Sequence, residues 1–243
     1  MVQHVQSVDR TLDVLEALVA AGGTAREKDL AAACELPAPT VHRILATLTA
    51  RGYVLQFADR SYALGSRLVR LGAVAARQVG ASVQPILTAL AKDLGETVNL
   101  AFLTRDSMTY VAQAASPRSM RMFTEVGRSV PLHNSGVGKA VLASLPDSVA
   151  EPLLDASVGG PRARRHINLE AELAQCRNRG FALDDEEQEV GVRCLAVAVA
   201  GAPSPAGLSV SGPTSRLGPD VYPAVAAKLT ETAAELSAHW AQG

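Results

Sequence analysis

Pro39-Thr40-Val41-His42-Arg43-Ile44-Leu45-Ala46-Thr47-Leu48-Thr49-Ala50-Arg51, closed by Gly52, reads as one short helix, and the rest of the chain is arranged about it. Val41, Ile44, Leu45 and Leu48 stand at i, i+3, i+4 and i+7, one apolar stripe at the helical period. The opposite face carries Thr40, His42, Arg43, Ala46, Thr47 and Ala50, and no acid. Pro39 suits the first helical turn, where its missing N–H goes unused, and Gly52 can take the left-handed stop. A buried stripe under a small, polar, cationic face is what a helix needs to enter a DNA major groove.

The flanking residues present this helix. Residues 7–21 read as a helix with Val8, Leu12, Leu15, Leu18 and Val19 on one face, stopped by Gly22-Gly23. Thr24-Ala25-Arg26-Glu27 reads as a capping box opening a short helix from Ala25 to Ala33. Helix, tight link, helix is the helix-turn-helix arrangement. After Gly52, two β-leaning runs, 53–57 and 61–64, flank the polar turn Ala58-Asp59-Arg60, which is a hairpin. A hairpin directly after a reading helix is a wing, and Arg60 at its tip is placed to reach a phosphate. Ser66 then starts a linker helix to about Val79, whose Leu68, Leu71 and Val74 find no partner in so small a domain and read as a dimer contact.

Charge is distributed to match. The whole chain has a formal net charge of −1, yet residues 1–77 hold nine Lys/Arg against seven Asp/Glu, and no acid occurs from Leu36 to Ala58. The positive potential is local to the element that would face phosphates. Three scattered cysteines, Cys34, Cys176 and Cys194, show no zinc spacing and fit a reducing compartment. No signal-peptide core or membrane-spanning run appears, so a cytoplasmic protein without metal or cofactor is expected.

The pattern changes from Ala81. Helical periodicity over 82–94 is followed by strand-like runs at 97–104, 108–114 and 119–125. Short helices are expected at 138–145, 147–155 and 169–179, strands at 192–200 and 208–211, and a closing helix over 220–240. This order predicts an α+β fold built on an antiparallel sheet rather than a doubly wound parallel one. The expected organisation is a winged helix-turn-helix over 1–65, a linker helix over 66–80 and a second domain over 81–243.

Several stretches together resemble the IclR family of bacterial transcriptional regulators: Val5 to Leu15, Leu36-Pro37 with Thr40 to Val54, Pro131 to Ala140, Arg179 to Asp184, Gly191 to Cys194 and Ser209 to Pro213. The resemblance implies a winged helix-turn-helix joined by a linker helix to a GAF-like effector domain. It also implies a homodimer or a dimer of dimers on palindromic operator DNA, more often repressing than activating, controlled by a small carboxylic acid. Where many members have Ser before the Thr of the reading helix, this chain has Pro39.

For DNA, the candidates are Thr40, His42, Arg43, Thr47 and Arg60, with Arg43 suited to the guanine N7/O6 edge. For the effector, the resemblance carries over to Gly136, Val137, Asp184, Cys194, Ser209 and Ser211, with Met122, Val130 and Val192 as an apolar wall. Physically, Ser135-Gly136-Val137 precedes a helix whose free N–H groups make an anion site, and Ser209 and Ser211 share one side of a strand. Singly, Cys194 reads as small core, Gly136 as turn chemistry and the serines as a polar strand face; the set favours a pocket.

Other motifs fail. Gly136-Val137-Gly138-Lys139-Ala140 lacks the glycine and hydroxyl of a phosphate loop, and His133, Ser135 and Asp184 lack the elbow of a hydrolase. Asp184-Asp185-Glu186-Glu187 reads as an exposed acidic turn, and Arg162, Arg164 and Arg165 as a solvated loop. The alternative function, a hydrolase-like small-molecule enzyme with an N-terminal dimerisation domain, has no activated nucleophile or metal set behind it.

Overall fold

The computed structural model describes residues 5–160 and 169–242, so Arg162, Arg164 and Arg165 lie outside the described residues. The chain divides into two compact units, 1–77 and 78–243.

In the first unit, α1 (Gln6–Ala20), α2 (Glu27–Ala33) and α3 (Ala38–Ala50) pack around Val14, Leu18, Leu30, Val41, Leu45 and Leu48. Each fully buried Leu contributes about 1.5–3 kcal/mol. The stripe of α3 is as expected, with Ile44 half-buried. That of α1 is not: Val8, Leu12 and Val19 are exposed, and Val14 and Leu18 fill the core. The helix is apolar on two sides; one fills the core and the other stays exposed.

The expected capping box is absent. Thr24-Ala25-Arg26 forms strand β1, paired with β3 through Thr24↔Ala63 and Arg26↔Ser61, and α2 starts at Glu27 without a side-chain cap. Here the backbone of 24–26 is engaged by the wing strand rather than by a side-chain cap. The wing itself is β2 (Val54–Gln56) and β3 (Ser61–Leu64), giving a sheet of order β1-β3-β2. Arg60 sits at its tip with φ 65°, and Asp59 Oδ1 accepts from Ser61 N and Oγ at 3.0 and 2.6 Å, which fixes the turn.

The two helices expected over 67–79 and 82–94 are one, α4 (Ser66–Leu94), with Pro85 inside it. Neither Gly80 nor Pro85 breaks it; the buried Val83, Leu87, Leu90 and Ala91 hold the helix through the proline. At its start, Arg67 donates to the Arg51 carbonyl at the C-terminus of α3, where a cation is favoured.

The second unit is a six-stranded antiparallel sheet of order β6-β5-β4-β9-β8-β7: β4 (Thr97–Thr104), β5 (Ser107–Ala114), β6 (Ser129–Pro131), β7 (Ala182–Asp185), β8 (Val192–Val199) and β9 (Ala206–Pro213). One face packs Val98, Leu100, Leu195, Leu208 and Val210 against α4 and the closing helix α8 (Tyr222–Ala241). The other face is covered in part by α5 (Gly136–Ser144), α6 (Asp147–Val158) and α7 (Leu169–Arg179) over Ala101, Met108, Ala182 and Ala196. The α+β class and antiparallel sheet are as expected.

The strand expected at 119–125 does not form; the edge strand is Ser129–Pro131. Side chains take its backbone instead. Thr97 Oγ1 donates to the Met122 carbonyl at 3.0 Å and an Arg216 nitrogen to that of Met120 at 3.0 Å. Arg216 in turn forms a two-pronged pair with the buried Glu96.

Candidate nucleic-acid interface and effector pocket

On α3, His42 and Arg43 are exposed, Thr47 is exposed, and Thr40 is half-buried. Thr47 Oγ1 donates back to the Arg43 carbonyl at 2.8 Å, so its hydroxyl is partly occupied. Thr40, Arg43 and Thr47 line a groove of about 580 Å³ with Val8 and Leu12 of α1. His42 points to the other side: its Nδ1 lies 3.0 Å from Glu27 Oε2. The face that is acid-free in sequence therefore receives an acid from α2, a neighbour that periodicity along α3 does not reveal.

In the second unit, strand register assembles the expected effector residues. Asp184 pairs with Cys194, Cys194 with Ser211, and Ala196 with Ser209; directly opposed residues share a face. Val192 lies on that face of β8, opposite Pro213. The N-terminus of α5 is set down on this face. A Cβ on Gly136 would stand 2.9 Å from Cys194 Sγ and 3.4 Å from Ala196 Cβ, so only the bare backbone of glycine allows the approach. Gly207 likewise makes room for Val137, whose Cβ would be 3.0 Å from an added one.

Ser135 caps α5: its Oγ accepts from Gly138 N at 3.2 Å and donates to the Pro131 carbonyl, and its carbonyl takes Lys139 N. The N–H groups of Gly136 and Val137 remain as the first orphan donors of the helix. His133 Nδ1 is engaged with Ser157 Oγ at 3.0 Å. Neither His133 nor Ser135 is arranged as part of a triad.

Burial sets the electrostatics. Burial pushes the Asp184 carboxyl up to about 6, although Glu187 N and Gln188 N both donate to its Oδ1. Burial likewise pushes the Cys194 thiol up to about 11, with Asp184 adding to the rise and the Ser211 and Ser209 hydroxyls offsetting part of it. The Cys194 thiol is thus kept neutral where an anion would sit, and Asp184 takes up a proton more readily than a free carboxyl. Lys139, on α5, is 1% exposed and pairs with Glu172 at 3.1 Å and with Glu187. Burial alone would lower its pKa; the bonds and charge of Glu187 and then Glu172 overcome that and raise it. The stretch expected as an exposed acidic turn is therefore half structural: Asp184 is buried and Glu187 is bound to Lys139.

Met122 is half-buried, tied by its carbonyl to Thr97, the partner of Ser211. Val130 is on β6, in the buried cluster with Met108 and Val137, three strands from Ser209. Sequence reasoning missed Thr97, Asn99, Tyr110 and Gln113, which share the polar face with Ser209 and Ser211. Asn99 is wholly buried, and burial, with Cys194 next, raises the Tyr110 phenol.

Family models match both units: the IclR helix-turn-helix domain over residues 7–56 and the bacterial transcriptional regulator IclR C-terminal domain over 71–238. Similar relatives include the transcriptional repressor IclR of Escherichia coli (strain K12), 34% identical over 96% of this chain and 89% of its own. The acetate operon repressor of Salmonella typhimurium (strain LT2) is 35% identical with the same coverage. Among solved structures, an IclR family transcriptional regulator from Brucella abortus superposes with a TM-score of 0.86 at 26% identity, covering 97% of this chain and 92% of its own. A winged reading helix, a GAF-like antiparallel domain and these matches across nearly the whole length lead to one identification: the chain belongs to the IclR family of DNA-binding bacterial transcriptional regulators.

Proposed function

We propose that this regulator is a one-component repressor whose hold on a palindromic operator is set by a small organic acid. The observation that carries the reading is the seating of the α5 N-terminus on Cys194, with two free backbone N–H donors over a face of buried hydroxyls. A carboxylate satisfies donors of this kind. Gly136 and Val137 take the carboxylate; Ser209, Ser211, Cys194 and Asp184 line its sides; Met122, Val130 and Val192 supply apolar contact. On the DNA side, Arg43 and His42 reach base edges or phosphates while Thr40, Thr47 and Arg60 position the backbone.

Pairing of chains is supported by Val69, Leu71 and Val74 of α4, which are 72%, 53% and 41% exposed. Two such chains place two reading helices on half-sites about one helical turn apart. The acid acts only by binding one arrangement of the paired helices better than the other. The test is an operator titration by fluorescence anisotropy with and without a panel of carboxylic acids. A shift in operator affinity with one acid, lost in Ser211→Ala but not in Arg60→Ala, supports the reading. Operator binding that no acid alters counts against it.

A further inference from the structure

Ser209, Asn99 and Gln113 stand side by side across β9, β4 and β5, in register as Ser209↔Asn99↔Gln113. They therefore form one polar row on the face that α5 overlies. Ser209 and Asn99 are 0% exposed. Among the described residues, both Asn99 amide atoms and Gln113 Nε2 are buried with no hydrogen-bond partner, and Ser209 Oγ has nothing stronger near it than the Cys194 thiol. The neighbouring row differs: Thr97 Oγ1 donates to the Met122 carbonyl and accepts from Ser116 N. Polar side chains buried unpaired are costly, so such a row is built to meet something.

Its chemistry is specific. Asn99 offers a donor and an acceptor together, Ser209 either, and Gln113 a donor. A second carboxylate would leave Asn99 Oδ1 facing negative charge; a hydroxyl, which donates and accepts, satisfies the amide. Position adds direction. The α5 N-terminus touches β8 at Cys194 and Ala196 through Gly136 and β9 at Gly207 through Val137, and Asn99 lies on the next strand, β4. An acid that carries a hydroxyl away from its carboxylate meets the helix end and the polar row together.

We propose that the occupant is a hydroxylated organic acid, its hydroxyl remote from the carboxylate held by Asn99 with Ser209 and Gln113. This rests on the carboxylate reading of the α5 end given above. The polar row acts as the specificity element of the site: a pocket built to hydrogen-bond a hydroxyl discriminates strongly against the analogue that lacks it.

The experiment is isothermal titration of the full chain with 4-hydroxybenzoate against benzoate, gluconate against hexanoate, and glyoxylate alone. At least tenfold tighter binding of the hydroxylated member is expected in one pair, and which pair shows it separates ring from polyol. Asn99→Leu is expected to bring that pair within twofold of each other, while its unliganded thermal midpoint does not fall; a structural asparagine would lower it. Gln113→Met reads the same loss should Asn99→Leu not fold. Equal binding within both pairs, or discrimination that survives both substitutions, overturns the proposal. The carboxylate reading stands in that case as long as the acids bind. Operator-competent protein that binds none of the five overturns both.

Discussion

Gly136 and Cys194 are in such close contact that a single methyl group on the glycine would fall 2.9 Å from the thiol sulfur. The first turn of α5 can therefore reach the sheet only because residue 136 has no side chain. Gly136→Ala is expected to push the helix end off β8 and weaken acid binding at least tenfold. Cys194→Ala alone removes the obstacle, so the double variant Gly136→Ala/Cys194→Ala recovers affinity. Calorimetric titration of the two single variants and the double reads the coupling directly; additive losses would mean the contact is not the cause.

Asp184 governs a pH dependence whose sign follows from its raised pKa of about 6. Between about pH 4, where the unfolded carboxyl titrates, and about 6, the folded chain holds a proton that the unfolded chain has lost. Stability contributed by this group therefore falls as pH rises through that window and is level above it. The change is on the order of 3 kcal/mol. Asp184→Asn should flatten it, measured by urea unfolding at pH 4.5 and 7. Binding of an anionic effector should tighten as pH falls toward 6, because a neutral Asp184 no longer repels it.

Lys139 is buried between Glu172 and Glu187, and Glu187 also donates its backbone N–H to Asp184. Lys139→Met leaves both carboxylates without their cation. A loss of about 3 kcal/mol in unfolding free energy is expected, less than for a fully sealed pair because both glutamates are partly exposed. Glu172→Gln should cost under half of that.

Arg43→Ala should cost about 1–3 kcal/mol of operator affinity, roughly five- to 150-fold, with an unchanged circular dichroism spectrum. Glu27→Gln should act oppositely. Removing the carboxylate 3.0 Å from His42 takes a negative charge away from a phosphate-facing helix, so affinity should rise two- to fivefold, most at low salt.

What could be read in advance followed local periodicity, and what could not was settled across the chain. The α3 stripe and the strand character of β4 and β8 are properties of a few consecutive residues, and the structure keeps them. Thr24 was misread because its cap-like spacing says nothing of β3, which pairs with it. Residues 119–125 alternate like a strand, yet Thr97 and Arg216 take the carbonyls a neighbour strand would need. Asn99 escaped notice for a related reason. Thr97, Val98, Asn99 and Leu100 alternate like any half-polar strand, and burial on both faces is not written in that alternation, so nothing local singles out Asn99. Register, which the sequence does not state, is what sets it beside Ser209.

The central strands carry two kinds of side chain in strict alternation. Asn99, Cys194 and Ser211 face the proposed ligand; Val98, Leu195 and Val210, one residue away on the same strands, are packed in the cluster that holds Leu87 and Leu90 of α4. An adjustment of β4, β8 or β9 to a guest on one side must be repacked on the other, since close-packed interiors do not absorb strain in voids. The element repacked there is a single unbroken helix that begins at Ser66, directly after the wing. A guest admitted on the polar face would thus be felt across the thickness of the sheet by Leu87 and Leu90, side chains it never touches.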